Sequence, residues 1–323
     1  MGRKLVVIIP AYDEEGTVAR VVSGVPKKLS GIAKIENYVI DDGSKDKTAL
    51  FAAGAGAKVI SHLKNKGLGM TFAEGINLAL ARGADIVVNV DADNQWPPAQ
   101  MEKIISPIIK GDAEVVLGSR FMGRKMSFYL PWAKRFGNKV LAILVSFLIG
   151  QRLYDVTCGF RAFSREAALN LNLMENFTYT QESILTLAQK GYKIMEVPIF
   201  GQERKWGKTK IAESLFHYGV RASLVFIRGL RDRSSLKFFG FPGLVLLCLG
   251  FIGLLFILIY YLVLGHVVPF RSVLTASVVL FITGSIVVIF ALLADLQSQI
   301  RRNQERIIFL LKKEIYGKGK LEI

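Results

Sequence analysis

The chain has 323 residues, of which 51% are hydrophobic and 21% are charged, and its mean hydropathy is +0.37. It is too apolar for an ordinary soluble enzyme and too charged for a plain bundle of transmembrane helices, so we expect a soluble domain joined to a membrane segment. The 42 Lys and Arg residues outnumber the 26 Asp and Glu residues, which favours an anionic partner such as acidic lipid or a phosphorylated substrate. Nucleic acid is disfavoured, because no basic run is interleaved with aromatic residues.

The amino-terminal segment is interpreted as the first strand of a domain. Residues 1–10 contain neither the long apolar stretch nor the small-residue cleavage site of a signal peptide, so we expect the first half of the chain to stay in the cytosol. Cys158 lies in a polar loop and Cys248 in an apolar run, so a disulfide is not expected, and their spacing does not match a metal site.

The first half of the chain alternates short β-branched runs with helical patterns. Continuous apolar strands that alternate with helices predict an α/β fold whose mostly parallel sheet is covered on both faces. Ligands of such sheets bind at the carboxyl ends of the strands. The predicted strands are Leu5–Pro10, Tyr38–Ile40, Lys58–Ile60, Asp85–Val90 and Glu114–Leu117, and the predicted helices are Glu14–Leu29, Leu68–Ala81 and Pro98–Lys110.

Two runs in the second half, Phe241–Leu264 and Val273–Leu293, are long and apolar enough to cross a membrane. A short loop of residues 265–272 joins them, and Lys and Arg residues cluster on both outer flanks. The positive-inside rule places both flanks in the cytosol, together with the first half of the chain and both termini. We therefore predict an integral membrane protein with a two-helix transmembrane hairpin.

Two further stretches, residues 129–152 and 211–233, combine basic and apolar residues as helices in the lipid headgroup layer do. Packing on the soluble domain is the alternative for both. The tail, residues 295–315, also has a helical pattern, and a membrane-surface helix and an oligomer contact are equally open for it. The predicted units are a domain of residues 1–210, an interface-helix region of 211–237, the hairpin of 238–295 and a basic tail helix of 296–323.

The segment Asp91-Ala92-Asp93-Asn94-Gln95 follows a predicted strand and is a candidate metal site. Two carboxylates one residue apart at a turn can hold Mg²⁺ or Mn²⁺, which prefer oxygen ligands and bridge to phosphate. Such an ion neutralises the charge that builds on a diphosphate leaving group. An Asp-x-Asp pair also occurs by chance or as a turn cap, but the preceding strand and the following Trp96-Pro97-Pro98 favour the metal site.

Two other polar segments follow predicted strands. They contain Tyr12, Glu14, Asp41 and Asp42, which are candidates for contacts to the base and ribose of a nucleotide. Asp and Ser residues at such positions also cap the helices that follow, and both interpretations hold together if Ser44 is the cap.

The ordered motifs carry a resemblance to a known family. Residues 10–15, Asp41-Asp42-Gly43-Ser44, Asp91–Gln95 and Gly118-Ser119-Arg120 resemble the family 2 glycosyltransferases of the GT-A fold, and most closely their polyprenyl-phosphate branch, the dolichyl-phosphate mannose and glucose synthases. The resemblance covers residues 5–212. It implies inverting transfer of a hexose from GDP-mannose or UDP-glucose to dolichyl phosphate or a similar lipid, which provides a lipid-linked sugar for glycan assembly. It also implies a Mg²⁺ or Mn²⁺ ion held by Asp93 and Gln95, with Asp91 near the donor.

Three later segments fit the lipid-phosphate branch. Residues 156–161 resemble its loop, with Cys158 where Ser is common, and Glu182 stands in the place of an acidic residue near the sugar. Residues 204–210 resemble its mobile basic segment, with Thr in place of Ser at position 209. Arg204 and Lys210 are candidates for a phosphate clamp, and ordinary surface charge near a membrane is the alternative for each cation.

A phosphate acceptor changes what the site must supply. A phosphate monoester is largely dianionic at neutral pH, so it can attack without a general base, and the protein must instead surround two anions with cations. The candidate catalytic residues are Asp91, Asp93, Arg120, Glu182 and Arg204. The candidate nucleotide-sugar contacts are Pro10, Tyr12, Glu14, Asp41, Asp42, Asp91, Ala92, Asp93, Arg204 and Lys210, and the candidate acceptor-phosphate contacts are Arg120, Lys134, Arg135 and Asn138.

Other interpretations are left open by the sequence. A processive polysaccharide synthase of the same superfamily would carry Gln-x-x-Arg-Trp and a longer membrane region, whereas residues 202–206 place Arg one position early. A non-catalytic membrane scaffold conflicts with the intact acidic motif and Arg120, and a nucleotidyltransferase would not explain the hairpin. The donor, including an N-acetylhexosamine donor, and homo-oligomer formation are open. His62, His217 and His266 show no ligand spacing and are assigned no chemistry.

Overall fold

The computed structural model describes residues 2–122, 132–172, 179–202 and 215–317, except for the side chains of residues 133, 134, 215–235 and 237. The strands of this part of the chain are β1 (Arg3–Ala11), β2 (Ile32–Asp41), β3 (Lys58–Ser61), β4 (Ile86–Asn89), β5 (Val115–Ser119), β6 (Arg161–Ser164) and β7 (Ile194–Pro198). They form one sheet in the order β3-β2-β1-β4-β6-β5-β7, and β6 alone is antiparallel to its neighbours. The predicted α/β class with a mostly parallel sheet is confirmed.

Helices cover both faces of the sheet. The helices of the described residues are α1 (Val18–Ser23), α2 (Thr48–Gly54), α3 (Leu68–Ala81), α4 (Met101–Lys110), α5 (Trp132–Ile149), α6 (Arg165–Leu169), α7 (Tyr179–Gln189), α8 (Leu215–Leu264) and α9 (Arg271–Gly317), and the last two lie mostly outside the unit that contains the sheet. A 3₁₀ turn over Pro98–Gln100 precedes α4. Helix α3 has the predicted bounds. Helix α1 is shorter than the predicted helix of residues 14–29 at both ends, because residues 12–17 form a loop at the end of β1 and the helix ends at Ser23, before Gly24.

Strand β1 shows why both faces of the sheet are covered. Its side chains alternate between two core clusters, as the period of two in a strand requires. Val6 and Ile8 pack with Phe72 of α3 on one face, whereas Val7 and Ile9 pack with α1 and α4 on the other. All of these residues are fully buried, and each such side chain contributes roughly 1.5–3 kcal/mol to folding. The apolar run is therefore continuous.

Two strands, β6 and β7, and three helices, α2, α6 and α7, are absent from the sequence prediction. Strand β6 has four residues and begins with Arg161, whose charge interrupts the apolar pattern that identifies a buried strand. Arg161 is nevertheless fully buried, because backbone carbonyls accept its guanidinium hydrogen bonds. Local hydropathy therefore could not identify this strand.

The carboxyl ends of β1, β2, β4 and β5 lie at the same edge of the sheet. Strand β1 pairs in parallel with β2, where Ala11 faces Asp41, and with β4, where Ile8 faces Asn89. Because β6 is antiparallel to both β4 and β5, those two strands are parallel to each other. The polar segments after residues 11, 41, 90 and 119 therefore emerge at one edge, where ligands of parallel sheets bind.

Residues 227–306 form a second compact unit, which contains most of the two long helices α8 and α9. The mean hydropathy reaches 2.8 in Phe238–Leu264 and 2.7 in α9, so both helices are long and apolar enough to span a membrane. Glycines let the helices pack closely: a Cβ atom at Gly284 would lie 2.3 Å from the backbone nitrogen of Leu247, and one at Gly250 would lie 2.4 Å from that of Phe281.

The carboxyl-terminal end of α9, from Ile307 onward, belongs to the first unit. Phe309 and Tyr316 pack against the core cluster on the α3 face of the sheet. Lys312 Nζ donates a hydrogen bond to the carbonyl oxygen of Leu171 at 2.8 Å. The end of the predicted tail helix thus packs on the chain's own first unit. The predicted boundaries at residues 210, 237 and 295 stay predictions, and α8 and α9 run unbroken across the last two.

Helix α5 has two different faces. Leu141, Val145 and Leu148 are buried in the first unit. The opposite face exposes an apolar stripe at helical spacing, which consists of Trp132 (69% exposed), Phe136 (57%), Ile143 (59%) and Phe147 (64%). Helix α5 therefore packs on the domain and also keeps the amphipathic character that the sequence predicts for residues 129–152. All side chains of the second predicted interface stretch, 211–233, lie outside the described residues.

Candidate active site

The loops that follow β1 and β2 are joined by side-chain hydrogen bonds. The amide of Asp13 donates to Ser44 Oγ at 2.9 Å, and the amide of Glu14 donates to Thr48 Oγ1 at 2.8 Å. Asp13 has a φ of +48°, a left-handed conformation that Asp tolerates better than most residues. These contacts fix the short segment that carries Tyr12 and Glu14 at the edge of the sheet.

Asp41 and Asp42 are both buried, each with 3% exposure, but they bind different parts of the chain. Asp41 Oδ1 accepts hydrogen bonds from the amide and the hydroxyl of Ser44. The Asp42 carboxylate accepts the amides of residues 66–67 at 2.8 and 2.9 Å, and His62 Nδ1 lies 2.8 Å from its Oδ1 atom. Asp42 therefore holds the loop after β3, and nucleotide contact stays a prediction for both carboxylates.

His62, to which the sequence assigned no chemistry, is buried between two carboxylates. Its side chain is 4% exposed, with Nδ1 facing Asp42 and Nε2 facing Glu74. Glu74 also pairs with Lys66 Nζ at 2.8 Å. Burial alone raises the pKa of Glu74, but hydrogen bonds from Lys66 and His62 lower it below its usual value. His62 thus links Asp42, which directly follows β2, to Glu74 of α3.

Asp91 and Asp93 lie at the end of β4, where the sequence places a metal site. Asp91 is half-buried, and desolvation of its carboxyl group together with repulsion from the Asp93 carboxylate raises its pKa to about 7. The amide of Gln95 donates to Asp93 Oδ1 at 3.0 Å, so the three candidate residues are adjacent. Two carboxylates that repel one another are suited to a divalent cation, which removes the repulsion and prefers oxygen ligands.

The donor set at Asp91 and Asp93 is small. Within the described ranges no group of three or more His, Cys, Asp and Glu residues is placed to hold a metal ion. A cation at Asp93 would suit the mode in which Mg²⁺ is bound through one or two carboxylates together with substrate phosphates. The residues present fit an ion that binds together with a diphosphate.

The loop before β6 closes over Asp91. A Cβ atom at Gly159 would lie 2.3 Å from both carboxylate oxygens of Asp91, so this position leaves no room for a side chain. The side-chain amide of Asn89, the last residue of β4, donates to the Gly159 carbonyl oxygen at 2.7 Å and so attaches the loop to this strand. The neighbouring Cys158 is 1% exposed and packs in the core cluster, and burial raises the pKa of its thiol.

Arg161 connects the same loop to α7. Its Nη2 atom donates to the Val156 carbonyl at 2.9 Å, and Nε donates to the Cys158 carbonyl at 2.7 Å. Its Nη1 atom bonds the Thr180 carbonyl and Ser183 Oγ in the first turns of α7. The candidate catalytic residue Glu182 lies in this turn, so Arg161 ties the helix start that carries Glu182 to the loop over Asp91.

Arg120 follows β5 and lies beside the acidic motif. Its guanidinium carbon is 5.4 Å from the centroid of the Trp96 ring, and its charge lowers the pKa of Asp91. Asp155 pairs with the guanidinium through Nε and Nη2, at 2.5 and 2.8 Å. Burial alone raises the pKa of Asp155, but Arg120 lowers it below its usual value. Arg120 thus packs on the segment that carries the two carboxylates.

The remaining acceptor-phosphate candidates lie on α5. Arg135 is exposed, whereas Asn138 is only 3% exposed and donates from Nδ2 to the Tyr154 carbonyl at 3.1 Å. The Lys134 side chain lies outside the described residues, as do Arg204 and Lys210 of the predicted phosphate clamp. Pro10 is buried within β1 and Ala92 is buried between the two carboxylates. These assignments stay predictions.

Sequence reasoning missed several residues of this region, among them Asp155, Asn89 and His62. Asp155 immediately precedes the loop of residues 156–161 that carries the family resemblance, so its position was the one available signal. Nothing local marks Asn89 or His62, because their roles arise from contacts with residues 70 and 20 positions away.

Residues 6–171, which include every strand from β1 to β6 except the first three residues of β1, match glycosyl transferase family 2. The chain belongs to this family. It is therefore a glycosyltransferase, and the paired carboxylates at the end of β4 lie within its family 2 domain. The predicted family and enzyme class are confirmed.

Two relatives show the similarity at the sequence level. The chain is 33% identical to a dolichyl-phosphate hexose transferase from Haloferax volcanii, over 64% of this chain and 86% of that protein. It is 34% identical to a UDP-N-acetylglucosamine–dolichyl-phosphate N-acetylglucosaminyltransferase from Methanococcus voltae, over 62% of this chain and 86% of that protein. The two relatives differ in the sugar that their names specify.

A solved structure supports the fold. The chain is similar in structure to the glucosyl-3-phosphoglycerate synthase of Mycobacterium tuberculosis, crystallised with Mn²⁺, UDP and glucosyl-3-phosphoglycerate. The TM-score is 0.55 at 23% identity, over 72% of this chain and 80% of that one. The predicted GT-A-type α/β fold, followed by two long apolar helices, is confirmed.

Proposed function

We propose that this family 2 enzyme transfers a hexose or N-acetylhexosamine from a nucleotide-sugar to dolichyl phosphate or a similar polyprenyl phosphate, with inversion at the anomeric carbon. The observation that carries the proposal is the placement of the Arg120 guanidinium at this edge of the sheet, 5.4 Å from the ring centroid of Trp96, whose side chain hydrogen-bonds Asp91. Carboxylates suit the metal–diphosphate of a donor, and an adjacent guanidinium suits an anionic acceptor. The names of the relatives point to the same acceptor class.

The donor would bind across the ends of β1, β2 and β4. Tyr12, Glu14 and Asp41 are the candidates for contacts to the nucleoside. Asp93 and Gln95 are the candidates to hold Mg²⁺ or Mn²⁺, and Asp91 lies near the sugar. When bound, the cation stabilises the negative charge that develops on the diphosphate as the bond to the sugar breaks.

The acceptor phosphate would supply the nucleophile without a general base. At neutral pH a phosphate monoester is largely dianionic, because its second pKa is about 6. One phosphate oxygen forms the bond to the anomeric carbon while the bond to the donor diphosphate breaks, and the nucleoside diphosphate leaves with the electron pair. No proton is transferred. The task of Arg120, and of Arg204 in the predicted clamp, is to bring the two anions together.

The membrane features fit a lipid-linked acceptor. Two helices can span a bilayer, and the exposed stripe of α5 lies next to basic residues such as Arg135 and Lys139, as in helices of the headgroup layer. Basic flanks on both sides of the hairpin favour a cytosolic catalytic domain and cytosolic termini. An acceptor phosphate held in the membrane plane would then reach Arg120 from the side of α5.

The test is transfer from radiolabelled GDP-mannose, UDP-glucose and UDP-N-acetylglucosamine to dolichyl phosphate in detergent, with Mn²⁺ or with EDTA. We expect one donor to give a labelled lipid in the presence of metal, and Asp93→Ala to abolish the product. The matched control is Asp112→Ala, which removes an exposed carboxylate before β5, at the opposite edge of the sheet. The anomeric configuration of the product, measured by NMR, tests inversion.

Three other results would each contradict part of the proposed function. Consumption of donor with a labelled soluble glycan instead of lipid would support a polysaccharide synthase. Equal activity of Asp93→Ala and Asp112→Ala, or transfer in EDTA, would remove the metal role of Asp93. Failure to bind any nucleotide-sugar would contradict the proposed reaction as a whole.

A further inference from the structure

The guanidinium of Arg120 is held on one edge by a buried carboxylate. Asp155 is fully buried, and its Oδ2 atom accepts from Arg120 Nε at 2.5 Å while its Oδ1 atom accepts from Nη2 at 2.8 Å. The backbone amide of Arg120 donates to the same Oδ2 atom at 3.1 Å. A bidentate pair of this kind fixes the plane of the guanidinium as well as its position.

Asp155 is itself anchored to the sheet. Glu196, which is 8% exposed in β7, accepts the amides of Tyr154 and Asp155 on its two carboxylate oxygens, at 2.8 and 2.7 Å. Strand β7 is the parallel neighbour of β5, the strand after which Arg120 lies. Both partners of the ion pair are therefore attached to adjacent strands, and the pair has little freedom to reorient.

A second set of hydrogen bonds connects the guanidinium, through Thr157, to Asn138 of α5. The Thr157 hydroxyl oxygen accepts a hydrogen bond from Arg120 Nη2, and the hydroxyl donates to Asn138 Oδ1 at 2.9 Å. Asn138 in turn donates from Nδ2 to the Tyr154 carbonyl at 3.1 Å. These hydrogen bonds form a closed network, because Tyr154 directly precedes Asp155 in the chain.

Despite these contacts, 13% of the Arg120 side chain is exposed to solvent. Its guanidinium carbon lies 5.4 Å from the centroid of the Trp96 ring and 5.2 Å from that of Phe121, so aromatic rings pack beside it. Trp96 also hydrogen-bonds Asp91 and lowers its pKa. Hydrogen bonds to Asp155 and Thr157 and packing on two aromatic rings thus fix the orientation of the Arg120 guanidinium.

We propose that Asp155 is a positioning residue that orients Arg120 toward the phosphate of the acceptor, and that the hydrogen bonds of Thr157 and Asn138 support this orientation. This inference rests on the proposed function, because it takes the Arg120 ligand to be an acceptor phosphate. An unsupported arginine would have to order its long side chain when the phosphate binds, and the network removes that entropy loss before binding. Asn138 would then act through Thr157 rather than by touching the phosphate.

The test is the effect of Asp155→Asn on acceptor binding separately from donor binding. The neutral amide would direct an N–H group at the guanidinium and break the bidentate pair. We expect the KM for a short-chain polyprenyl phosphate to rise about tenfold or more. The Kd for the nucleoside diphosphate with Mn²⁺ should change less than about twofold, since the donor contacts are untouched.

A double-mutant cycle separates positioning from a structural role. If Asp155 acts only through Arg120, Asp155→Asn should add nothing to the acceptor KM of an Arg120→Gln enzyme. Additive losses, or an equal loss of nucleotide affinity, would overturn the inference. Asp112→Asn serves as the control for loss of a carboxylate at an exposed site.

Two more measurements keep the inference testable if Asp155→Asn fails to fold or the wild-type enzyme shows no transfer. Thr157→Val, which keeps the shape but removes the hydroxyl, should raise the acceptor KM, and Thr157→Ser should restore it. If the wild-type enzyme shows no transfer, the proposed function fails. The role of Asp155 is then decided by the Kd for the same polyprenyl phosphate, compared between the wild type and the variants. An unchanged Kd in both Asp155→Asn and Thr157→Val would contradict it.

Discussion

The backbone of Gly159 lies directly against the carboxylate of Asp91: a Cβ atom at Gly159 would be 2.3 Å from both of its oxygens. Asp91 is itself half-buried, and desolvation of its carboxyl group raises its pKa to about 7. The loop over the acidic motif is therefore set at a distance that glycine alone allows.

Gly159→Ala should accordingly impair transfer more than folding. The added methyl group must displace either the loop or Asp91, and a misplacement of about 1 Å at a reacting centre lowers the rate on the order of a hundredfold. The measurement is the transfer rate beside the thermal midpoint. Gly54→Ala is the control, because nothing lies within 4 Å of its added Cβ atom and its φ is not positive. Equal rates for the two variants would show that the contact is unimportant.

His62→Ala should destabilise the first unit. It leaves the buried carboxylate of Asp42 without its imidazole partner, and loss of one member of a buried polar pair costs about 3 kcal/mol. The measurement is denaturant unfolding followed by fluorescence. Lys66→Ala removes a half-exposed partner of Glu74 and should cost less than about 1 kcal/mol. The reverse ranking would contradict a structural role of His62.

Glu36 provides a pH-dependent contribution to stability. Lys4 Nζ and Lys34 Nζ each lie 2.8 Å from Glu36 Oε1, and the Tyr38 hydroxyl donates to Oε2 at 2.8 Å. Burial alone raises the pKa of Glu36, but hydrogen bonds from Lys34, Lys4 and Tyr38 lower it overall. The folded-state pKa thus lies below the unfolded value of about 4.3. The resulting stability is present at neutral pH and is lost as the pH falls through the folded-state pKa.

Glu36→Gln should therefore lower the free energy of unfolding by about 1–2 kcal/mol at pH 7, and by progressively less as the pH falls below about 4. The value is modest because the Lys34 side chain is 65% exposed and water screens the pair. Denaturation at several pH values measures the difference. Glu102→Gln, at an exposed position in α4, should show no such trend. A difference independent of pH would contradict the assignment.

Gly284→Leu should disrupt the helical hairpin of the second unit. A side chain at this position would meet the backbone of Leu247 at 2.3 Å, so α8 and α9 would have to separate. We expect the thermal midpoint in detergent to fall by about 5 °C or more, as overpacking by roughly 2 kcal/mol predicts. Leu262→Ala, at a side chain that is 73% exposed, is the control. Equal midpoints would show that the close contact does not form.

The sequence alone determined the features that depend on local pattern. Continuous apolar strands alternating with helices established the α/β class, because strands buried on both faces leave that pattern. The two apolar runs identified the candidate spans, and Asp91-Ala92-Asp93 after a strand marked the acidic motif. The bounds of α3 were also predictable, since a period of 3.6 over 14 residues is a strong signal.

Only the tertiary structure decided which of these residues act together. Arg120 meets Asp155 across 35 residues, and Asn89 supports Gly159 across 70, and neither pairing leaves a mark in local composition. Strand β6 escaped prediction because buried carbonyls satisfy the charge of Arg161, which hydropathy counts as exposed. Local pattern reports burial and periodicity, whereas contacts between distant segments follow from strand order, so the network around Arg120 required the folded chain.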